Sequence, residues 1–346
     1  MLRFYHTSVR EAPEGSRNTL ITSSIFSRVT VSKLLPCVGS MPNQTTIERS
    51  VETEGVGLHT GVHCRMRFNP APPDVGIVFR RTDLRNFQIE AHGRNVARVS
   101  YATSLMKQGV WLSTTEHVLA AIYSCEIDNI YIDVDALELP ILDGSAKPFL
   151  EMIDQAGIRK LRKRRRYLKV LAPVEVKDGD RRVGIYPSDE FRVKVFVDFA
   201  HPMVGPQDVE LAVNRESFTK LLSTARTFCF LDEVDKLRAA GLARGGSLEN
   251  AIVLTRDGVM NGPLRSPDEF VRHKALDLIG DLALLGRPLL GRVEAHKAGH
   301  ALHTQLVSRL LADPSLWTET VSHESESAAE QNASFSSAEA TTASAD

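Results

Sequence analysis

Ser266-Pro267-Asp268-Glu269-Phe270-Val271-Arg272-His273-Lys274-Ala275-Leu276-Asp277-Leu278-Ile279-Gly280-Asp281-Leu282 reads as one helix with an unusual polar stripe. Ser266 as N-cap, Pro267 at the first helical position and Glu269 two residues on spell a capping box, while Gly286 and Pro288 supply the stop. At about 100° per residue, His273, Asp277 and Asp281 fall on one stripe and Val271, Ala275, Leu278, Ile279 and Leu282 cover the rest of the circumference. A helix that apolar is buried. A solvated stripe would use Lys, Glu and Arg, which are better helix formers than His and Asp. Buried His and Asp need partners, and residues four apart can grip one metal ion from adjacent turns. A buried hydrogen-bond network would use the same side chains, so both readings stand at this point.

Working outward, a second polar pair opens another helix. Ser113-Thr114-Thr115-Glu116 again has capping-box spacing, placing Glu116 and His117 in a first turn ahead of Val118, Leu119, Ala120 and Ile122. Neighbouring residues project about 100° apart, so Glu116 and His117 would not both ligate one ion. The Glu can instead address a water that the ion holds, and two His with one Asp would make an open catalytic zinc site. The plain alternative for Glu116 is a capping carboxylate. A third cluster, Lys297-Ala298-Gly299-His300, follows a short strand from Arg292 to Ala295. His300 there suits a general acid or a structural role.

Strands and helices recur in the same order in both halves. Cys64–Phe68 and Gly76–Phe79 alternate as strands and lead to a helix from Thr114 to about Ser124, then a strand with Ile130, Ile132 and Val134 on one face and a helix from Asp143-Gly144 to about Gly157. The run from Arg159 to Arg166 reads as a junction. Beyond it come a hairpin turning at Asp178-Gly179, a strand with Val193, Val195 and Val197, helices near 215–225 and 266–285, a final strand, and a helix from about Ala301 to Leu311. The expected fold is α+β: two similar domains, 43–166 and 167–318, each a mostly antiparallel sheet with helices on one face and the active site between them. Residues 1–42 read as an extension, with Met41 as an alternative start, and 319–346 as a disordered Ser-, Ala- and Glu-rich tail.

Composition excludes several classes. Lys plus Arg number 42 against 43 Asp plus Glu, which gives no global attraction to nucleic acid. The four cysteines lack CxxC spacing, which argues against a disulfide framework or a cysteine zinc site and fits a reducing cytoplasm. No apolar run reaches the roughly 20 residues of a membrane span. Organellar targeting by residues 1–42 is opposed by Glu11 and Glu14. The Arg159–Arg166 run suits weak attraction to an anionic membrane surface.

These segments together resemble the UDP-3-O-acyl-N-acetylglucosamine deacetylases. The resemblance rests on Gly55-Val56-Gly57-Leu58-His59-Thr60-Gly61, Phe79–Leu84, Thr115-Glu116-His117, Ile127–Ile130, Pro140–Ala146, Asp198–Pro202, Ala225–Phe228, Gly245-Gly246-Ser247, Arg272-His273-Lys274 and Lys297–Leu302, in order from about Thr45 to Leu311. It implies that His117, His273 and Asp277 bind Zn2+ and that Glu116 is the general base. It also implies that His300 protonates the leaving amine, Asp281 orients His300 and Thr227 helps bind the oxyanion. Lys274 and Phe228 would meet the substrate, a UDP-linked acylated amino sugar, and a β-α-β insert at about 229–253 would hold its acyl chain. The implied reaction is removal of the N-acetyl group, the committed step of lipid A biosynthesis; the protein is expected to be a cytoplasmic monomer. Ala102-Thr103-Ser104-Leu105 lacks the cysteines of some relatives, and neither terminal segment is a family feature.

Overall fold

Alternation of apolar and polar side chains builds two large sheets, each with one face left for helices to cover, beside three two-stranded ones among the described residues. The computed structural model describes residues 43–97 and 99–321. The expected extension 1–42 and all of the tail beyond 321 lie outside these residues.

The first sheet has five strands in the order Val51–Val56, His63–Pro70, Ile130–Val134, Ile77–Arg81 and Phe87–Glu90. All pairings are antiparallel except that of Ile77–Arg81 with Ile130–Val134. Cys64, Met66 and Phe68, with Ile130, Ile132 and Val134, turn inward and are fully buried. Helices α1 (Glu116–Ser124) and α2 (Lys147–Ala156) belong to this half, and Gly157 ends α2 at φ 73.

The second sheet is built around Leu289–His296, which pairs antiparallel with Arg181–Tyr186 and parallel with Phe191–Phe199 and Tyr167–Val170. The hairpin Val174–Asp178/Arg181–Tyr186 turns at Gly179, φ 62, as the Asp-Gly signal predicts. A short helix α3 (Arg215–Ser217) runs into a π-helical turn at Phe218–Leu222, in place of the longer helix expected at 215–225. Strand Phe228–Phe230, helix α4 (Leu231–Ala239) and strand Ile252–Leu254 form a β-α-β unit with parallel strands. Helices α5 (Glu269–Leu282) and α6 (His300–Ala312) complete this half. α1 packs along α5, which joins the two halves through a continuous apolar core. The fold is α+β with mostly antiparallel sheets.

Three expectations are corrected. Neither expected capping box forms. α5 begins at Glu269 behind Asp268, with no side-chain cap, because Glu269 turns inward to Arg226 and Arg265. α1 begins at Glu116 behind Thr115, again uncapped, because the Glu116 carboxylate accepts from the Thr103 amide instead. The basic run is not an open junction. Ile158–Arg164 pairs antiparallel with Asn43–Ile47, and Arg165 is buried against Asp128 and Glu126. Finally, the start of the expected tail is ordered: Trp317–Thr320 pairs with Tyr167–Val170, and Glu319 binds Arg166 and Arg287.

Candidate metal and acid–base site

The close packing of α1 on α5 brings the polar stripe of α5 against the first turn of α1. His117, His273 and Asp277 each offer a ligand atom, and these atoms lie within 4.8 Å of one another. Asp277 Oδ1 is 3.3 Å from His273 Nε2 and 3.7 Å from His117 Nε2. All three residues are buried, and the imidazole rings meet edge to face.

The chemistry of this donor set fits a metal ion. His273 Nδ1 donates to the Ala225 carbonyl at 3.1 Å, which fixes the tautomer and leaves the Nε2 lone pair facing the cluster. Burial, only partly opposed by Asp277, lowers the His273 pKa to about 3, so the ring is neutral and able to ligate. Burial also penalises the Asp277 carboxylate, but its neighbours, the Lys274 ammonium among them, hold its pKa well below the usual range. Asp277 Oδ1 is buried with no hydrogen-bond partner. An ionised oxygen left without a donor, facing two imidazole nitrogens, calls for a cation.

Two acid–base groups flank the cluster. Glu116 is buried, its Oε2 accepts from the Thr103 amide at 3.0 Å, and desolvation raises its pKa. His300, at the start of α6, places Nδ1 2.7 Å from Asp281 Oδ2 and Nε2 3.9 Å from Asp277 Oδ2. Burial alone would lower the His300 pKa, yet Asp281 overcomes it and lifts it to about 9. The ring therefore carries a proton at neutral pH.

The cleft beside these groups, of about 140 Å³, is lined by Leu58, Glu116, Thr227, Phe228, Lys274 and His300 among others. Lys274 Nζ donates to Asp277 Oδ2 at 2.9 Å and sits 5.4 Å from the centre of the Phe228 ring. The Thr227 amide donates to the Gly144 carbonyl, and a Cβ on Gly144 would meet the Asn250 carbonyl oxygen at 2.0 Å. Thus eight of the nine residues singled out from the sequence line one cleft, and the ninth, Asp281, lies buried behind His300.

Pattern reading missed four residues. Buried Glu138 accepts from the His59 and Thr60 amides and from the Thr60 and Thr114 hydroxyls, fixing the Gly57–Gly61 turn that carries Leu58 to the cleft. Glu269 holds Arg226 next to Thr227. Thr103 and His303 both bind Asp281. Only His303 carried a signal, its spacing of three from His300 on one helix face.

Fold and site together define an α+β protein with a buried two-histidine, one-aspartate cluster of metal-binding type, flanked by acid–base groups. A family model described as UDP-3-O-acyl N-acetylglycosamine deacetylase matches residues 44–312, and the chain belongs to this family. Proteins named UDP-3-O-acyl-N-acetylglucosamine deacetylase are similar to it across most of their length. That of Solibacter usitatus (strain Ellin6076) is 54% identical over 275 residues, covering 79% of this chain and 93% of the relative. Those of Anaeromyxobacter sp. (strain Fw109-5) and Syntrophotalea carbinolica are 47% and 45% identical, each covering 79% of this chain and 90% and 89% of the relative.

Proposed function

We propose that this protein hydrolyses the N-acetyl amide of UDP-3-O-(3-hydroxyacyl)-N-acetylglucosamine, releasing acetate and the free amine in the committed step of lipid A biosynthesis. The observation that carries this reading is the convergence of His117, His273 and Asp277 between a buried carboxylate, Glu116, and a protonated histidine, His300. His117, His273 and Asp277 would hold Zn2+, which when bound supplies a Lewis acid that polarises the amide carbonyl and acidifies water.

The chain's own groups divide the remaining work. Glu116, its pKa raised by burial, takes a proton from the attacking water. Thr227 donates toward the developing oxyanion. His300 gives its proton to the departing nitrogen, since an amine leaves readily only when protonated, and Asp281 holds the ring for that transfer. Lys274 binds the sugar or its diphosphate, and Phe228 lies beside the sugar at the mouth of the acyl passage. The β-α-β unit from Phe228 to Leu254 takes the acyl chain along its apolar side, which includes buried Leu237. We also place the protein in the cytoplasm as a monomer, with weak attraction to an anionic membrane surface through its basic strand; no helix among the described residues is long and apolar enough to cross a membrane.

Incubation with this substrate, followed by mass spectrometry with and without a zinc chelator, tests the reading. Loss of acetyl that is chelator-sensitive and requires the O-acyl chain is the expected result. A folded, zinc-loaded sample that leaves the substrate intact overturns it.

A further inference from the structure

Asp281 is fully buried, and a carboxylate there is stable as an anion only if donors surround it. It has three. His300 Nδ1 lies 2.7 Å from Oδ2, His303 Nδ1 lies 2.9 Å from the same oxygen, and the Thr103 hydroxyl donates to Oδ1 at 2.5 Å. His300 alone faces the cleft; Thr103 and His303 stand behind it.

Each of these two residues is itself fixed. The Thr103 carbonyl accepts from the Thr115 amide at 3.3 Å and hydroxyl at 3.1 Å, while the Thr103 amide donates to Glu116 Oε2 at 3.0 Å. One residue therefore braces both Glu116 and Asp281. His303 sits one turn beyond His300 on α6 and is 1% exposed, and its Nε2 is buried without a hydrogen-bond partner. A residue serving only to fill space would avoid that unsatisfied nitrogen, as Leu or Phe would. What the imidazole supplies is a directed Nδ1–H, held neutral because burial lowers its pKa.

We propose that Thr103 and His303 are positioning residues, which lock the Asp281 carboxylate so that His300 keeps its Nδ1–H on Asp281 and its Nε2 toward the cleft. Neither touches the substrate. The catalytic consequence rests on the reading of His300 as the acid; the orientation itself does not.

Thr103→Val removes the hydroxyl at constant shape and leaves the amide that Glu116 needs. His303→Leu removes the Nδ1–H, whereas His303→Asn returns an amide donor near the same point, and Thr103→Ser returns the hydroxyl. In zinc-loaded protein without substrate, the hydrogen-bonded His300 Nδ1–H resonance, identified by its loss in His300→Ala, should broaden or shift in Thr103→Val and His303→Leu and recover in Thr103→Ser and His303→Asn. In turnover of the acylated sugar nucleotide, kcat should fall roughly 10- to 100-fold in the first pair, with KM and bound zinc nearly unchanged, and recover in the second. A folded Thr103→Val protein with an unaltered resonance and unaltered kcat overturns the proposal; this isosteric variant carries the test if His303→Leu does not fold. Resonance changes as expected in a protein that never turns the substrate over would uphold the positioning and overturn the assigned reaction.

Discussion

Gly280 on α5 faces the backbone of Glu116 on α1 so closely that a Cβ there would lie 2.1 Å from the Glu116 carbonyl oxygen. The contact sits three residues beyond Asp277, one residue before Asp281 and beside His117, so the separation of the two helices sets the size of the metal cluster. Backbone cannot rotate aside as a side chain can. Gly280→Ala should therefore cost about 1–3 kcal/mol from overpacking, despite the better helix propensity of alanine. Its urea midpoint should fall, and zinc affinity should drop because His117 moves away from His273 and Asp277. An unchanged midpoint would mean that the helices do not pack this closely.

Glu269 binds Arg226 through Oε1 at 2.9 Å to Nε and Oε2 at 3.2 Å to Nη2, and it also accepts from the Arg226 and Arg265 amides. The carboxylate is fully buried and the guanidinium nearly so. Glu269→Ala would strand the Arg226 charge and two amides, so a loss of about 3–5 kcal/mol is expected in equilibrium unfolding. Glu269→Gln should lose less, because an amide oxygen still accepts. Thr227 directly follows Arg226, so the folded fraction of either variant should also turn over more slowly.

Local pattern carried the helix α5, the stop at Gly286 with φ 74 after the 3-10 turn Ala283–Leu285 that continues it, the Asp-Gly hairpin and the alternating strands, because each is set by neighbours in sequence. It also picked out His273, Asp277 and Asp281, because a stripe of acids and bases on a largely buried helix demands buried partners. It failed where a side chain chose a distant partner over a local one. Glu116 and Glu269 have capping-box spacing, yet each satisfies an amide from another segment, Thr103 in one case and Arg226 in the other. The basic stretch misled for a related reason: charge alone suggests a solvated link, while the pairing of Ile158–Arg164 with Asn43–Ile47 depends on a strand more than a hundred residues away. Thr103 carries no local signal at all, since its role arises only when α5 and α6 bring Asp281 beneath it.

The proton on His300 gives a pH dependence with a definite sign. Its pKa is raised from an ordinary 6.5 to about 9, with burial opposing and Asp281 prevailing. A raised histidine pKa stabilises the folded state fully below about 6.5, and that contribution fades as pH rises through about 9. In metal-free protein, the stability advantage of the wild type over His300→Gln, read from denaturant midpoints, should be largest near pH 6 and should shrink steadily toward pH 9.5. A gap that is constant with pH would show that the folded-state pKa is unshifted from about 6.5, and a gap that shrinks toward low pH would show that the folded ring is neutral; in either case His300 would not begin the reaction mostly protonated at neutral pH.

Asp277 joins the two halves of the metal cluster electrostatically, since its carboxylate faces His117 from α1, His273 from its own helix and the Lys274 ammonium. Zinc should stabilise the folded wild type by mass action, about 2.7 kcal/mol at a free concentration one hundred times Kd, and so raise Tm. Asp277→Ala removes the only negative ligand among the three and leaves Lys274 repelling the ion. The variant should lose zinc on dialysis, show no rise in Tm when zinc is returned, and lack activity. Asp277→Asn separates charge from shape: the amide oxygen can still ligate, so weak zinc binding at raised metal concentration is expected, with a correspondingly smaller Tm shift. If Asp277→Ala kept full zinc occupancy and the full thermal shift, Asp277 would not be a ligand, and the ion would have to sit elsewhere along the His117–His273 pair.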